Sequence, residues 1–154
     1  MTTILITHDR TDAHLLADRI GVMRHGRIVA CGAPDELHRA PGDTFTAEFL
    51  TDATLLRGRA AGEGKLHTSL GELSVDGAVE GEVRVAVRPE EILLGEGPLR
   101  GRVLGCEYDG MAWRCRLQVG DAEVAARHDV PLEAGSEIAL TPPASSRAVL
   151  REEA

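Results

Sequence analysis

Residues 99–119 read LRGRVLGCEYDGMAWRCRLQV, in which two segments with alternating apolar and polar side chains meet at Asp109-Gly110. Alternation with a period of two places successive side chains on opposite faces of a β-strand. Asp-Gly between two such segments is a strong hairpin signal, because glycine readily adopts the positive φ of a tight turn. These residues predict an antiparallel hairpin in which Tyr108 and Trp113 are packing residues rather than a ligand platform.

Other short strand-like segments lie on both sides of this hairpin. They cover residues 55–60, 65–70, 83–87, 92–94, 123–127 and 137–140. Turn residues such as Gly62, Gly71, Gly77 and Gly120-Asp121 separate them. Many short strands with regular turns are typical of a small all-β barrel or sandwich.

The first third of the chain has helical spacing instead. Residues 3–6 form an apolar, β-branched run typical of a strand buried on both faces of a parallel sheet. Helical spacing follows at residues 11–20, a hairpin is predicted around His25-Gly26, and short helices are predicted after Pro34 and at residues 44–50. The change of pattern near residues 51–57 predicts an α+β chain with two domains, 1–53 and 54–154.

The composition excludes several classes of function. A formal net charge of −8 opposes nucleic-acid binding, which requires a basic face, and an aromatic content of 3% opposes single-strand binding by an OB-type barrel. No apolar run approaches the ~20 residues that span a bilayer, and the first residues do not resemble a signal peptide. We therefore expect a cytoplasmic protein that binds no nucleic acid.

The cysteines and histidines predict neither a disulfide framework nor a metal site. Cys31, Cys106 and Cys115 are odd in number and far apart, so we expect reduced structural thiols. Cys106 and Cys115 flank the hairpin turn and are expected to pack as small apolar side chains. The histidines form no HExxH motif and no i, i+4 pair, and the chain has no CxxC motif.

An ordered series of short motifs runs through nearly the whole chain. It comprises Ile4-Leu5-Ile6-Thr7-His8-Asp9, Asp12-Ala13, Leu16-Ala17-Asp18-Arg19-Ile20, Val22-Met23, Gly26-Arg27-Ile28, Gly32, Pro34-x-Glu36-Leu37, Pro41, Phe45, Ala47-Glu48-Phe49-Leu50, Leu55-Leu56-x-Gly58 and Val87-Arg88-Pro89-Glu90-Glu91-Ile92. The series resembles the carboxy-terminal part of an importer-type ABC transporter ATP-binding subunit. In that family the end of an α/β ATPase domain leads into a TOBE barrel of OB-like fold, and Arg88, Pro89 and Glu90 match the barrel's signature.

The resemblance implies that His8 is the switch histidine, which contacts the γ-phosphate of ATP in a complete, Mg²⁺-dependent subunit. Judged from its context alone, His8 is either a ligand-site residue or a structural one. The chain has no G-x-x-x-x-G-K-[ST] phosphate loop, no Leu-Ser-Gly-Gly-Gln signature and no strand ending in Asp-Glu. We therefore expect the chain alone to bind and hydrolyse no MgATP, and we expect Asp9 to cap the helix that follows it.

The resemblance also implies partners and a biological role. The partners would be permease subunits at the inner face of the membrane, a second ATP-binding subunit and, if the subunit is split, a chain that supplies the nucleotide core. The role would be to couple ATP hydrolysis to import of iron, polyamines or a similar solute, with the barrel serving regulation or dimerisation. The alternative is a free-standing TOBE-type module that binds a small ligand or oxyanion without ATPase activity. Arg88-Pro89-Glu90 is expected to be structural, a strand ended by proline with exposed charges on either side.

Overall fold

Residues 10–51 form three short helices and one hairpin, which together we call the helical part. The chain then continues into two sheets that enclose the main core. The computed structural model describes residues 2–146 and 149–150. Over these residues the helices are α1 (Arg10–Leu16), α2 (Pro34–Arg39) and α3 (Thr44–Thr51), and a 3₁₀ turn covers Pro89–Glu91. The strands are β1 (Ile20–Arg24), β2 (Arg27–Gly32), β3 (Thr54–Gly62), β4 (Lys65–Thr68), β5 (Gly71–Val75), β6 (Glu82–Val87), β7 (Leu93–Tyr108), β8 (Trp113–Val119), β9 (Ala122–His128), β10 (Glu137–Thr141), β11 (Ser145–Ser146) and β12 (Val149–Leu150).

Local sequence signals explain the helical part. Asp9 caps α1, and Pro34 occupies the first position of α2. A backbone N–H at that position has no acceptor within the helix, so proline, which lacks the N–H, loses no hydrogen bond there. β1 and β2 pair antiparallel through His25-Gly26, whose φ values of 50° and 78° suit a tight turn. One apolar cluster holds the hairpin, α2 and α3 together, and its buried members are Ile20, Val22, Leu37 and Leu50.

Residues 3–6 do not form the buried strand that the sequence predicts. They lie outside regular structure, and Ile4, Leu5 and Ile6 expose 87%, 57% and 94% of their surface. A strand needs neighbours that bond to its backbone N–H and C=O groups. Within residues 2–146 and 149–150, the strands form three sheets among themselves, and none of these sheets includes this run.

The larger part of the chain is a barrel-like arrangement of two sheets. One sheet has the strand order β11-β5-β4-β3-β6-β12 and the other has the order β10-β7-β8-β9. Side chains from both sheets form one core, whose fully buried large members include Leu66, Leu73, Val85, Ile92, Val103, Leu117, Val124 and Leu140. The predicted fold class, a short α/β part followed by an all-β barrel, is confirmed.

Several details of the strands differ from the prediction, and among them are the short strands β11 and β12, which were not predicted. The segment predicted as one strand at residues 65–70 ends at Thr68. The next strand, β5, was missed because it is only five residues long and begins at Gly71, which the sequence suggested was a turn residue. The segments at 92–94 and 99–108 belong mostly to one long strand, β7, which pairs with β10 at its beginning (Leu93 and Leu94) and again at residues 100–102. The register shift in β10 between Ala139 and Leu140 accommodates the extra residues of β7 between those two pairings.

The predicted hairpin at Asp109-Gly110 is confirmed, but its cysteines correct the sequence prediction. Tyr108 pairs with Trp113, and the Asp109 carboxylate accepts hydrogen bonds from two backbone N–H groups of the turn. Cys106 and Cys115 lie directly opposite each other with Cα atoms 4.1 Å apart, and a disulfide joins them. Their register, which sequence spacing alone did not fix, brings both sulfur atoms into bonding distance. Cys31 is a free, exposed thiol.

Candidate functional site

His8 lies on the surface, immediately before the first helix. The backbone bends at His8, and its side chain is exposed. The next residue, Asp9, caps α1, and its Oδ1 atom accepts hydrogen bonds from the backbone N–H groups of Thr11 (2.7 Å) and Asp12 (3.2 Å). The hydrogen bonds from Asp12 and Thr11 lower the pKa of Asp9. The predicted capping role of Asp9 is confirmed.

The residues around His8 do not by themselves fit ATP and Mg²⁺. The free N–H groups at the start of a helix can bind a phosphate, but at α1 the Asp9 carboxylate already occupies that position and would repel an anion. Within residues 2–146 and 149–150, no group of three or more His, Cys, Asp and Glu side chains is placed to hold a metal ion. His8 is therefore an exposed side chain beside an occupied cap.

Arg88 joins the barrel to the helical part, in what we call the Arg88 junction: Arg88, Glu91 and the backbone carbonyls of His38 and Arg39. Arg88 Nη1 donates to Glu91 Oε1 (2.7 Å), and the Arg88 backbone N–H donates to Glu91 Oε2 (2.7 Å). Arg88 Nη2 donates to the carbonyl oxygens of His38 and, at 3.4 Å, of Arg39. These carbonyls lie at the end of α2, where the helix dipole favours a cation.

The buried position of Arg88 corrects the expectation of exposed charges on both sides of Pro89. Arg88 exposes only 7% of its surface, whereas Glu90 is exposed. Burial of a guanidinium requires an anion and hydrogen-bond acceptors, and Glu91 together with the end of α2 supplies both. The sequence gives no sign of this contact because His38 lies 50 residues away from Arg88.

Two histidines that the sequence analysis did not single out lie beside this junction. His38 Nε2 is 3.5 Å from Glu90 Oε1, and the His14 ring meets the His38 ring edge-on with centroids 6.0 Å apart. Burial, followed by the charge of Arg88, lowers the pKa of His38, while Glu90 opposes this shift. His14 Nδ1 lies 2.8 Å from the carbonyl oxygen of Arg10. These contacts connect α1 and α2 with the turn that contains Glu90.

A second ionic contact between helices and barrel, which we call the Asp52 junction, consists of Arg10, Asp52 and Arg114. Asp52 Oδ2 accepts from Arg114 Nε (2.6 Å) and Asp52 Oδ1 accepts from Arg114 Nη2 (3.4 Å). Arg10 Nη1 lies 3.5 Å from the same Oδ1 atom. The side chains of Arg10, Asp52 and Arg114 are 44%, 29% and 29% exposed. No local sequence pattern indicates this contact, since the three residues come from three distant elements.

Comparison with known proteins supports the resemblance seen in the motifs. Residues 85–150 match the TOBE domain family. The chain is 40% identical over 148 residues to the Fe(3+) ions import ATP-binding protein FbpC 3 of Rhodococcus jostii, which covers 92% of this chain and 42% of that protein. It is 36% identical over 159 residues to the Fe(3+) ions import ATP-binding protein FbpC of Pseudomonas fluorescens, with 98% and 44% covered. The chain carries a TOBE domain and is related to ABC importer ATP-binding subunits.

The relationship extends beyond the TOBE domain, because the alignments include the helical part as well. The chain spans just over two fifths of the length of these curated relatives and corresponds to the carboxy-terminal part of such a subunit. Among solved structures, the cytoplasmic molybdate-binding protein ModG aligns with a TM-score of 0.47 and 16% identity, over 63% of this chain and 93% of that one. Within the described residues, no helix has the length and apolar character needed to cross a membrane.

Both junctions use residues of the TOBE domain. Arg88 and Arg114 lie within residues 85–150, while Asp52 and the end of α2 lie before them. The matched region begins in β6, so β3, β4 and β5 lie outside it although they belong to the same sheet as β6, β11 and β12. Arg88, which Glu91 holds in place, therefore connects the TOBE domain to the end of α2, and Pro89 is buried.

Proposed function

We propose that this chain is the carboxy-terminal part of the ATP-hydrolysing, energy-coupling subunit of an ABC importer for ferric iron. In this proposal, residues 1–53 belong to the ATPase domain and residues 54–154 form its regulatory barrel. The observation that carries the proposal is that identity of 36–40% with iron-import ATP-binding proteins extends over 92–98% of the chain. Such coverage favours this function over a free-standing ligand-binding module, which would require only the barrel.

His8 is the residue that we propose for the nucleotide site. It follows an apolar run and precedes α1, as a switch histidine does in the family that the chain resembles. The sequence contains neither the phosphate loop nor the Leu-Ser-Gly-Gly-Gln signature. In this proposal both motifs and the Mg²⁺ ligands come from polypeptide beyond these 154 residues. In the proposed assembly, the chain alone is not an ATPase.

The exposed run at residues 3–6 supports the proposal that a neighbouring part of the subunit covers it. Three large apolar side chains, Ile4, Leu5 and Ile6, lie in solvent although their type and order suit a strand buried on both faces. A parallel sheet in the nucleotide core would cover both faces and would bond to the backbone. In the proposed subunit this run becomes a strand of that sheet, and His8 then lies at its carboxyl end, where α/β proteins bind ligands.

The proposal includes the partners that the resemblance implies. The subunit would pair with a second ATP-binding subunit and dock on permease subunits at the cytoplasmic face of the membrane. The net charge of −8 gives no support to a nucleic-acid partner.

A chimera tests the proposed function directly. Residues 2–154 would replace the corresponding carboxy-terminal residues of the Rhodococcus jostii relative, whose amino-terminal part then supplies the nucleotide core. We expect the chimera to hydrolyse MgATP and to restore ferric iron uptake in cells that lack the relative. The relative without its carboxy-terminal part is the negative control. A folded chimera that binds nucleotide yet neither hydrolyses it nor supports uptake would refute the proposal.

A further inference from the structure

We propose that Asp52 is a positioning residue that connects barrel strand β8 to α1 and the adjoining His8 segment. The connection itself rests on geometry within this chain. Its consequence for turnover rests on the proposed function, because only a complete subunit uses His8 in hydrolysis. Nothing in the TOBE assignment or in the names of the relatives gives Asp52 a role.

The conformation of Asp52 places its carboxylate between helix and barrel. Asp52 ends α3 in the left-handed region, with φ 56° and ψ 23°, and its backbone N–H bonds to the carbonyl of Glu48. Asp is among the few residues other than glycine that adopt this region readily. The chain turns sharply there and enters β3 two residues later, so the Asp52 side chain lies where the helical part meets the barrel.

On the barrel side, Asp52 holds a single arginine through two nitrogen atoms. Arg114 Nε and Nη2 both approach the carboxylate, at 2.6 and 3.4 Å. Two-point contact fixes the direction of the guanidinium as well as its position. Arg114 is the second residue of β8, and it pairs with Glu107 of β7 on one side and with Arg127 of β9 on the other. A shift of this sheet would therefore move the Asp52 carboxylate.

On the helix side, Asp52 contacts the first residue of α1. Arg10 Nη1 lies 3.5 Å from Asp52 Oδ1 and donates to the carbonyl of Phe49 at 3.4 Å, near the negative end of α3. Arg10 is two positions after His8 and follows the cap residue Asp9 directly. A displacement of Arg10 would therefore be passed to His8 through two residues of chain.

The charge arrangement makes Asp52 necessary for the connection. Arg10 and Arg114 are both cations, and each lies within 3.5 Å of the one carboxylate between them. Without that carboxylate the two guanidinium groups would repel each other. In the described part of the chain, Arg114 bonds to Asp52 and not to α1, so the ionic contact between β8 and α1 runs through Asp52.

Hydrogen exchange of the chain tests the connection without any ATPase assay. We expect Asp52→Asn and Arg114→Gln each to accelerate exchange of the α1 amides by about threefold or more, and Arg114→Lys to restore part of the protection. Glu123→Gln is the matched control, because it breaks the 3.1 Å pair between Glu123 of β9 and Arg116 of β8, and neither of these residues contacts the helical part. Unchanged α1 exchange in Arg114→Gln would overturn the proposal, as would equal acceleration in Glu123→Gln.

The chimera tests the consequence for His8. We expect Arg114→Gln to lower kcat by about threefold or more while KM for ATP changes by less than about twofold, because the nucleotide-binding groups lie outside this chain. Glu123→Gln should change neither constant. A raised KM with unchanged kcat would overturn the positioning role. If the parent chimera is inactive, the proposed function fails, and the α1 exchange result alone decides whether Asp52 connects β8 to α1.

Discussion

Replacement of Arg88 by methionine should destabilise the chain strongly, because Arg88 is the buried charge of the Arg88 junction. The substitution keeps most of the side-chain volume but removes the partner of the Glu91 carboxylate and of two helix carbonyls. Removal of one member of a buried ion pair costs about 3–5 kcal/mol. Because the Glu91 side chain keeps 24% of its surface exposed, water replaces part of the lost interaction, and we expect a loss of about 2–4 kcal/mol.

Chemical and thermal denaturation of the Arg88 variant measure this loss. For a chain of this size, the expected change corresponds to a decrease in Tm of roughly 4–16 °C. Arg116→Met is the control, because Arg116 forms an exposed pair with Glu123 that should contribute less than about 1 kcal/mol. Amide exchange should also increase in the last turn of α2, whose carbonyls lose their donor.

A double variant separates the charge from the packing. Arg88→Met with Glu91→Leu removes both ions, so no carboxylate is left without its partner, and part of the lost stability should return. Full recovery is not expected, because the carbonyls of His38 and Arg39 still lack their donor. If Arg88→Met is as stable as the parent to within about 0.5 kcal/mol, the buried junction described here is wrong.

Three further predictions concern the helical part and the thiols. Burial and the Arg88 charge lower the pKa of His38 below its usual value near 6.5, so as pH decreases from about 7 to 6 the unfolded chain binds a proton that the folded chain does not. The free energy of unfolding should therefore fall over this pH range, and it should fall less in His38→Gln; equal pH dependence of the two proteins would contradict this. Asp9→Ala should accelerate amide exchange in α1, whereas Asp18→Ala, beyond the end of α1, should not, and equal effects would exclude a capping role. Maleimide labelling of the unfolded, non-reduced chain should modify Cys31 alone, and modification of all three cysteines would exclude the hairpin disulfide.

The sequence predicted those elements whose signals are local. The chain turns at Asp109-Gly110 and at His25-Gly26 as expected, because glycine readily adopts the backbone angles of a tight turn. Pro34 begins α2 because proline suits the first helical position. The motif series also predicted the family. These features depend on residues a few positions apart, which a single sequence displays directly.

The elements that the sequence could not predict depend on contacts between distant residues. Burial of Arg88 requires the end of α2, and the role of Asp52 requires Arg114, which is 62 positions away. The apolar run at residues 3–6 shows the opposite case. Its composition is that of a buried strand, but a strand also needs partners, and the described residues supply none. The disulfide likewise depends on a register that spacing alone leaves open.

Single-turnover ATP hydrolysis by the chimera, with and without His8→Ala, tests most directly whether this chain completes an importer ATPase. Loss of a group that stabilises the transition state should lower the hydrolysis rate by roughly 100-fold while the Kd for ATP stays within about threefold. His67→Ala is the matched control, because His67 is an exposed histidine on β4 in the barrel and should leave the rate unchanged. A His8→Ala chimera that hydrolyses ATP at the parent rate would contradict the proposed role of this chain in catalysis.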